Sequence, residues 1–191
     1  MKKILITALG LFMLAMAVPA GAQEMPDSLK SPNFAKLDVS PMDMVILRDQ
    51  NDKVIGRVIY SRPQKRDREV FGKLVPYGEV WRTGANEATE LTLYKDMTVA
   101  DKLIKAGNYT LYTIPKEKEW TIILNKKTNT WGAYEYAQEQ DIARITVPVR
   151  KVDNSIEALS MAFEPMPDGS GANLLIGWDD RYVKVPFKNA G

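Results

Sequence analysis

Beyond residue 34 the chain is a succession of short apolar or alternating runs broken by turn residues, and that spacing restricts it to a β architecture. Met44-Val45-Ile46-Leu47 runs into Asp49-Gln50-Asn51-Asp52 and then Val54-Ile55-Gly56-Arg57-Val58-Ile59-Tyr60, which reads as strand, turn, strand. Glu90–Tyr94 sets Leu91 and Leu93 against Thr92 and Tyr94, and Gly107–Ile114 sets Tyr109, Leu111 and Thr113 against Thr110, Tyr112 and Ile114. Trp120–Leu124, Ile142–Val149, Ala158–Phe163, Ala172–Trp178 and Tyr182–Phe187 complete the series, with turns at Asn125-Lys126-Lys127, Pro167–Gly171 and Asp179-Asp180. Runs spaced by roughly 8 to 15 residues with few helical windows predict an all-β fold, an antiparallel β-sandwich of about eight to ten strands, a jelly roll being one form of it. One or two short helical turns are expected, at Arg68–Leu74 and Tyr134–Gln140. Pro148 and Pro186 fall inside strand-like runs and are placed at edges or bulges, because proline cannot donate to a ladder.

The first residues read differently. Met1-Lys2-Lys3 is a short positive segment, an apolar run follows from Ile4 to about Val18, and Ala20-Gly21-Ala22 is a small-x-small cleavage pattern. The run is short of the ~20 residues a membrane span needs. Residues 1–22 are therefore expected to be a signal peptide cleaved after Ala22, giving a periplasmic or secreted protein with no membrane span. Residues 23–34, with Pro26 and Pro32, read as a flexible leader, and residues 35–188 as a single domain. Loss of Lys2 and Lys3 brings 26 basic residues down to 24, equal to the 24 acidic ones, so the electrostatic footprint of a nucleic-acid binder is missing.

The chain contains no cysteine and no histidine. That removes thiol nucleophiles, disulfides, thiolate metal sites, the Ser-His-Asp triad and imidazole bases. Catalysis would have to rest on carboxylates, lysine or tyrosine, whereas binding needs none of the missing residues. No cofactor and no resident metal are expected. Asp49–Asp52 and Asp168–Asn173 offer oxygen ligands, but neither has the spacing of a calcium loop, and these residue types are what β-turns require.

The segment from Tyr60 to Thr89 stands apart, because long ordered connections between strands often carry function. It holds Tyr60-Ser61-Arg62-Pro63 and Leu74-Val75-Pro76-Tyr77-Gly78-Glu79-Val80-Trp81-Arg82-Thr83-Gly84-Ala85-Asn86. Further along are Ala106–Pro115, Glu119–Ile123 with Asn125, and Trp131-Gly132-Ala133-Tyr134. On these motifs, densest from about residue 58 to 136, the chain resembles the DUF2911 family, exported proteins of unknown function found largely in Bacteroidetes-type bacteria. The resemblance implies a fold and a place to look, and no catalytic residues.

Candidate ligand contacts are Tyr60, Arg62, Tyr77, Trp81, Arg82, Asn86 and Glu87 from this segment, with Trp131 and Tyr134 from the later aromatic loop. Rings that stack and arginines that fork hydrogen bonds suit a small polar ligand or a glycan. The same polar residues could instead anchor the loop, with Arg62 and Arg82 donating to backbone carbonyls, Glu87 pairing one of them, and Asn86 or Gly84 at positive φ. Trp120 and Trp178 sit in strand-like runs and are read as core. Two other functions stay open: a carboxylate hydrolase or lyase using Glu79 or Glu87 as base beside Arg62 or Arg82, and a structural protein of the cell envelope.

Overall fold

The computed structural model describes residues 31–190. The expected signal peptide and most of the leader lie outside the described residues, and residues 31–34 carry no regular structure. Among the described residues ten strands form two antiparallel sheets, as the run spacing predicts. They are β1 (Met42–Arg48), β2 (Val54–Ser61), β3 (Glu90–Leu93), β4 (Met97–Val99), β5 (Lys102–Ile104), β6 (Gly107–Pro115), β7 (Glu119–Asn125), β8 (Asp141–Pro148), β9 (Arg150–Pro165) and β10 (Gly171–Asn189). The six-stranded sheet has the order β1-β2-β3-β6-β7-β8, and the four-stranded sheet the order β5-β4-β10-β9. The form adopted is thus a meander in chain order, with β4–β5 crossing to the second sheet, rather than a jelly roll.

The core follows from alternation. In β3 Leu91 and Leu93 point inward while Glu90 and Thr92 do not, and in β8 Ala143, Ile145 and Val147 do the same. Trp120 and Trp178 are fully buried, as their strand positions predict. Pro148 ends β8, the outermost strand of its sheet, where its missing N–H leaves no ladder bond unmade.

β10 turns back on itself. Its buried side chains are at 172, 174, 176 and 178 before Asp179, with Gly177 buried between the last two, and at 183, 185 and 187 after it, so the inward phase flips there. Asp179 has φ 54°, Asn189 N–H donates to Ser170 O at 2.8 Å, and a Cβ on Gly177 would meet Tyr182 Cβ at 3.2 Å. Residues 171–178 and 182–189 therefore abut, as two strand runs joined at Asp179-Asp180 should. Pro186 lies between the stretch of β10 paired with β9, which ends at Tyr182, and the stretch paired with β4, which starts at Phe187.

Arg68–Leu74 forms no helix. Gly72 takes φ 92°, and Phe71 and Val75 form an isolated bridge across a tight turn, so both enter the core. The other expected helical turn is a short 3-10 helix at Gln138–Gln140.

The long connection after β2 is ordered because it completes edges that short strands leave open. β3 has four residues and its neighbour β6 has nine, so the rest of that edge of β6 needs partners. The connection supplies them: Leu111 N–H bonds to Thr89 O at 2.8 Å, Thr113 and Trp81 exchange bonds of 2.7 and 2.9 Å, and Gly78 N–H reaches Pro115 O at 2.9 Å. Earlier in the connection, Leu159 N–H donates to Pro63 O and Lys65 N–H to Glu157 O, which ties it to β9 in the other sheet. Ala88, with Val80, Ala133 and Tyr136, covers Tyr112 and Ile123 on the outer face of β6 and β7, making a second small core.

Candidate functional site

The nine candidate contacts separate into three groups. Tyr60, Arg62 and Trp81 are tied into the framework where the two sheets meet. The Arg62 guanidinium donates from Nε to Leu159 O (3.0 Å), from Nη1 to Asp43 Oδ2 (3.0 Å) and from Nη2 to Ser160 Oγ (2.9 Å), clamping the end of β2 to β9. Tyr60, buried at the end of β2, accepts Met161 N–H at 2.9 Å, and burial pushes its hydroxyl above the ordinary tyrosine value. Trp81 stacks on Trp178 at 6.0 Å and 18° and meets Phe71 and Trp120 edge-on, so it belongs to an aromatic knot of the core.

The backbone brings Arg82, Asn86, Glu87, Trp131 and Tyr134 into one neighbourhood, Glu87 and Trp131 pairing along a groove and Arg82 and Tyr134 meeting at Gly132. The strand-like segment 86–88 pairs with 130–132: Ala88 N–H donates to Thr130 O and Gly132 N–H to Asn86 O, both at 3.0 Å, and Glu87 bridges Trp131. The loop carrying the rings is held from beneath as well. Thr130 Oγ1 bonds the buried Tyr112 hydroxyl at 3.0 Å, and Asn125 Nδ2 donates to Ala137 O at 2.9 Å. Tyr136 donates to Asp141 Oδ2 at 2.7 Å and receives Arg144 Nη1 at 2.7 Å; burial and the carboxylate together push its pKa to about 12. On this fixed base Trp131 is 58% and Tyr134 84% exposed.

Gly132 explains how the ring and the guanidinium meet. It has φ 67°, and a Cβ there would lie 2.8 Å from Tyr134 Cε2 and 3.3 Å from Arg82 Nη1. Any side chain would displace the tyrosine ring from the backbone it covers. Arg82 is oriented by a turn in which Thr83 and Asn86 take φ 57° and 58°. A β-branched residue in that region is strained by about 1–2 kcal/mol, and Thr83 is held there by Thr89 Oγ1 donating to its carbonyl at 2.9 Å.

The anchoring alternative holds in part for this group. Arg82 Nε donates to Gly84 O at 3.3 Å and Asn86 Nδ2 to Asp38 Oδ1 at 3.1 Å, and the positive φ falls on Asn86 rather than Gly84. The expected pairing of Glu87 with an arginine does not form. Among the described residues, the Nη groups of Arg82 and the carboxylate of Glu87 have no hydrogen-bond or ion-pair partner. Beside Trp131 opens a groove of about 370 Å³ lined by Met42, Ile59, Glu87, Glu90 and Asn129, with the candidate Tyr60 on its wall.

Tyr77 belongs to neither group. It lines a separate cleft, where its hydroxyl accepts Arg181 Nη1 at 2.7 Å. Glu79 and Glu87 are both exposed; Glu87 lines the groove beside Trp131 together with Glu90, and Glu79 lines neither that groove nor the Tyr77 cleft. The Asp49 and Asp168 carboxylates accept hydrogen bonds from their own turns, Asp49 from Asn51 and Lys53 N–H and Asp168 from Ser170 N–H and Oγ, as β-turn residues do. No helix among the described residues is long and apolar enough to cross a membrane.

No curated protein and no solved structure matches this chain. A family model does match, over residues 40–187, which takes in both sheets, the long connection and the aromatic loop. Its description is that of a protein of unknown function, so it assigns no role to the Trp131–Tyr134 surface. By that match the chain belongs to the DUF2911 family.

Proposed function

We propose that this protein is an exported binding module that holds a glycan on the surface formed by Arg82, Asn86, Glu87, Trp131 and Tyr134. The observation that carries the reading is a pair of exposed aromatic rings on a tied-down loop, close to guanidinium Nη groups and a carboxylate with no partner among the described residues. Pyranose rings offer a C–H face that packs on aromatic rings and a rim of hydroxyls that both donate and accept. Arg82 supplies donors and Glu87 acceptors, and their charges balance, which suits an uncharged sugar. Holding the rings in place beforehand lowers the ordering cost of binding.

The test uses the chain freed of residues 1–22 in pull-downs with insoluble polysaccharides and affinity electrophoresis with soluble ones. Retention on at least one polysaccharide is expected, and Trp131→Ala or Tyr134→Ala should each weaken it about tenfold, near 1.4 kcal/mol. Far-UV circular dichroism should not change, since both side chains are exposed. Failure to bind any polysaccharide, or undiminished binding by the double variant, would refute the reading.

A further inference from the structure

The cleft that contains Tyr77 is formed by four separate segments. They are the tight turn around Phe71, the β6–β7 turn with Glu117 and Lys118, the start of β9 with Lys151, and the turn of β10 with Asp179, Asp180 and Arg181. Its volume is about 770 Å³, within the range of small-molecule sites. Arg181 is its fixed element. Nε and Nη2 donate to Asp180 at 2.7 and 3.3 Å, Nη1 donates to the Tyr77 hydroxyl at 2.7 Å, and the guanidinium carbon lies 5.2 Å from the centre of the Phe71 ring. The side chain is 17% exposed. A guanidinium carries five N–H groups. Three are engaged here, which leaves one N–H on each Nη for a further acceptor such as a carboxylate.

The other charges narrow the ligand. Asp180 balances Arg181, and Lys65 balances Asp179. Among the described residues that leaves Lys118, Lys151, Glu69 and Glu117 lining the cleft without an ion-pair partner, two of each sign. A dianion such as phosphate would face Asp179 and Asp180 as well as two glutamates, while a purely cationic ligand would face two lysines and Arg181. A molecule with one charge of each sign, close together, meets neither objection.

We propose that this cleft is a second binding site, for a zwitterion of amino-acid or dipeptide size. The ligand carboxylate lies on the two remaining N–H groups of Arg181 and is favoured by Lys118 and Lys151, and its ammonium is taken by Glu69 or Glu117. The site is independent of the glycan surface and shares no residue with it.

Isothermal titration calorimetry of the chain freed of residues 1–22, with free amino acids and glycylglycine as probes, tests this. Saturable binding of at least one probe is expected, with N-acetylated and C-amidated forms of that probe each at least tenfold weaker. Lys118→Ala/Lys151→Ala should weaken it about tenfold without lowering the melting temperature, because both side chains are exposed. Trp131→Ala should bind the probe as the parent does, which separates this result from the fate of the glycan reading. No binding by any probe up to about 10 mM, equal affinity for a capped form, or competition by equimolar inorganic phosphate would overturn the proposal.

Discussion

Trp178→Ala is expected to lower unfolding stability by about 3–5 kcal/mol, a large part of the ~5–15 kcal/mol a domain of this kind possesses. Trp178 is 1% exposed and donates from Nε1 to Glu157 O at 3.1 Å. It stacks on Trp81 from the long connection and meets Phe71 from the same segment edge-on. Truncation therefore leaves a cavity where the two sheets and the connection join, and frees an acceptor as well. Trp131→Ala serves as the control. The residue type is the same, but the ring is 58% exposed, so the change should stay within about 0.5 kcal/mol. Urea unfolding followed by far-UV circular dichroism measures both, since the dichroism of the backbone does not depend on the lost indole. Similar costs for the two variants would mean that the aromatic knot does not hold the structure.

The second large effect is expected at Gly171. A Cβ there would fall 1.9 Å from Phe187 O and 2.8 Å from Lys188 Cα, both backbone atoms, so the chain itself must move. The shift would strain the Asn189 N–H···O Ser170 bond of 2.8 Å and the Phe187↔Val99 pairing that joins β10 to β4. Gly171→Ala should cost about 3 kcal/mol or more, a fall in melting temperature of roughly 10 °C for a chain of this length. Gly78→Ala separates packing from backbone strain. A Cβ at Gly78 meets nothing within 4 Å, but its φ is 80°, so only the left-handed conformation is penalised. That cost is about 1–2 kcal/mol, and the Gly171 variant should melt clearly lower. Equal losses would show that the two halves of β10 are not as close as described.

Much of this architecture was legible because alternation is a local signal. Ala172–Trp178 and Tyr182–Phe187 read as two strands joined at Asp179-Asp180, and the phase flip of buried residues in β10 is the same pattern seen in space. The β4–β5 hairpin was not legible. Its strands have three residues each, too few to alternate, and its turn at Ala100-Asp101 uses φ 43° and 70° on residues that announce no such conformation. Arg68–Leu74 has the residues of a helical turn, yet Gly72 and Pro76 allow a tighter one, and core space for Phe71 and Val75 decides between them.

The site was half legible for a related reason. Trp131 and Tyr134 stand out as rings in a polar loop, and Arg82, Asn86 and Glu87 as a polar cluster. Their meeting depends on backbone pairing between 86–88 and 130–132, a long-range contact no local pattern encodes. Arg62 and Arg82 look alike in sequence and differ in whether β9 and Asp43 of β1 offer acceptors within reach. Arg181 follows two aspartates in a turn, where a charge reads as solvated, and nothing local reveals that Phe71 and Tyr77 lie against it.

Arg62 fastens the two sheets, whereas the Nη groups of Arg82 are the donors that the proposed glycan binding would use. Thermal unfolding of Arg62→Ala and Arg82→Ala, with polysaccharide retention measured on the same preparations, tests it directly. Arg62→Ala should lose about 1–2 kcal/mol, given its three hydrogen bonds and partial exposure, and retain the polysaccharide once folded. Arg82→Ala should stay within about 0.5 kcal/mol of the parent and lose about tenfold in retention, near 1.4 kcal/mol. An Arg82 variant that is destabilised as much as the Arg62 variant, with retention untouched, would contradict the account.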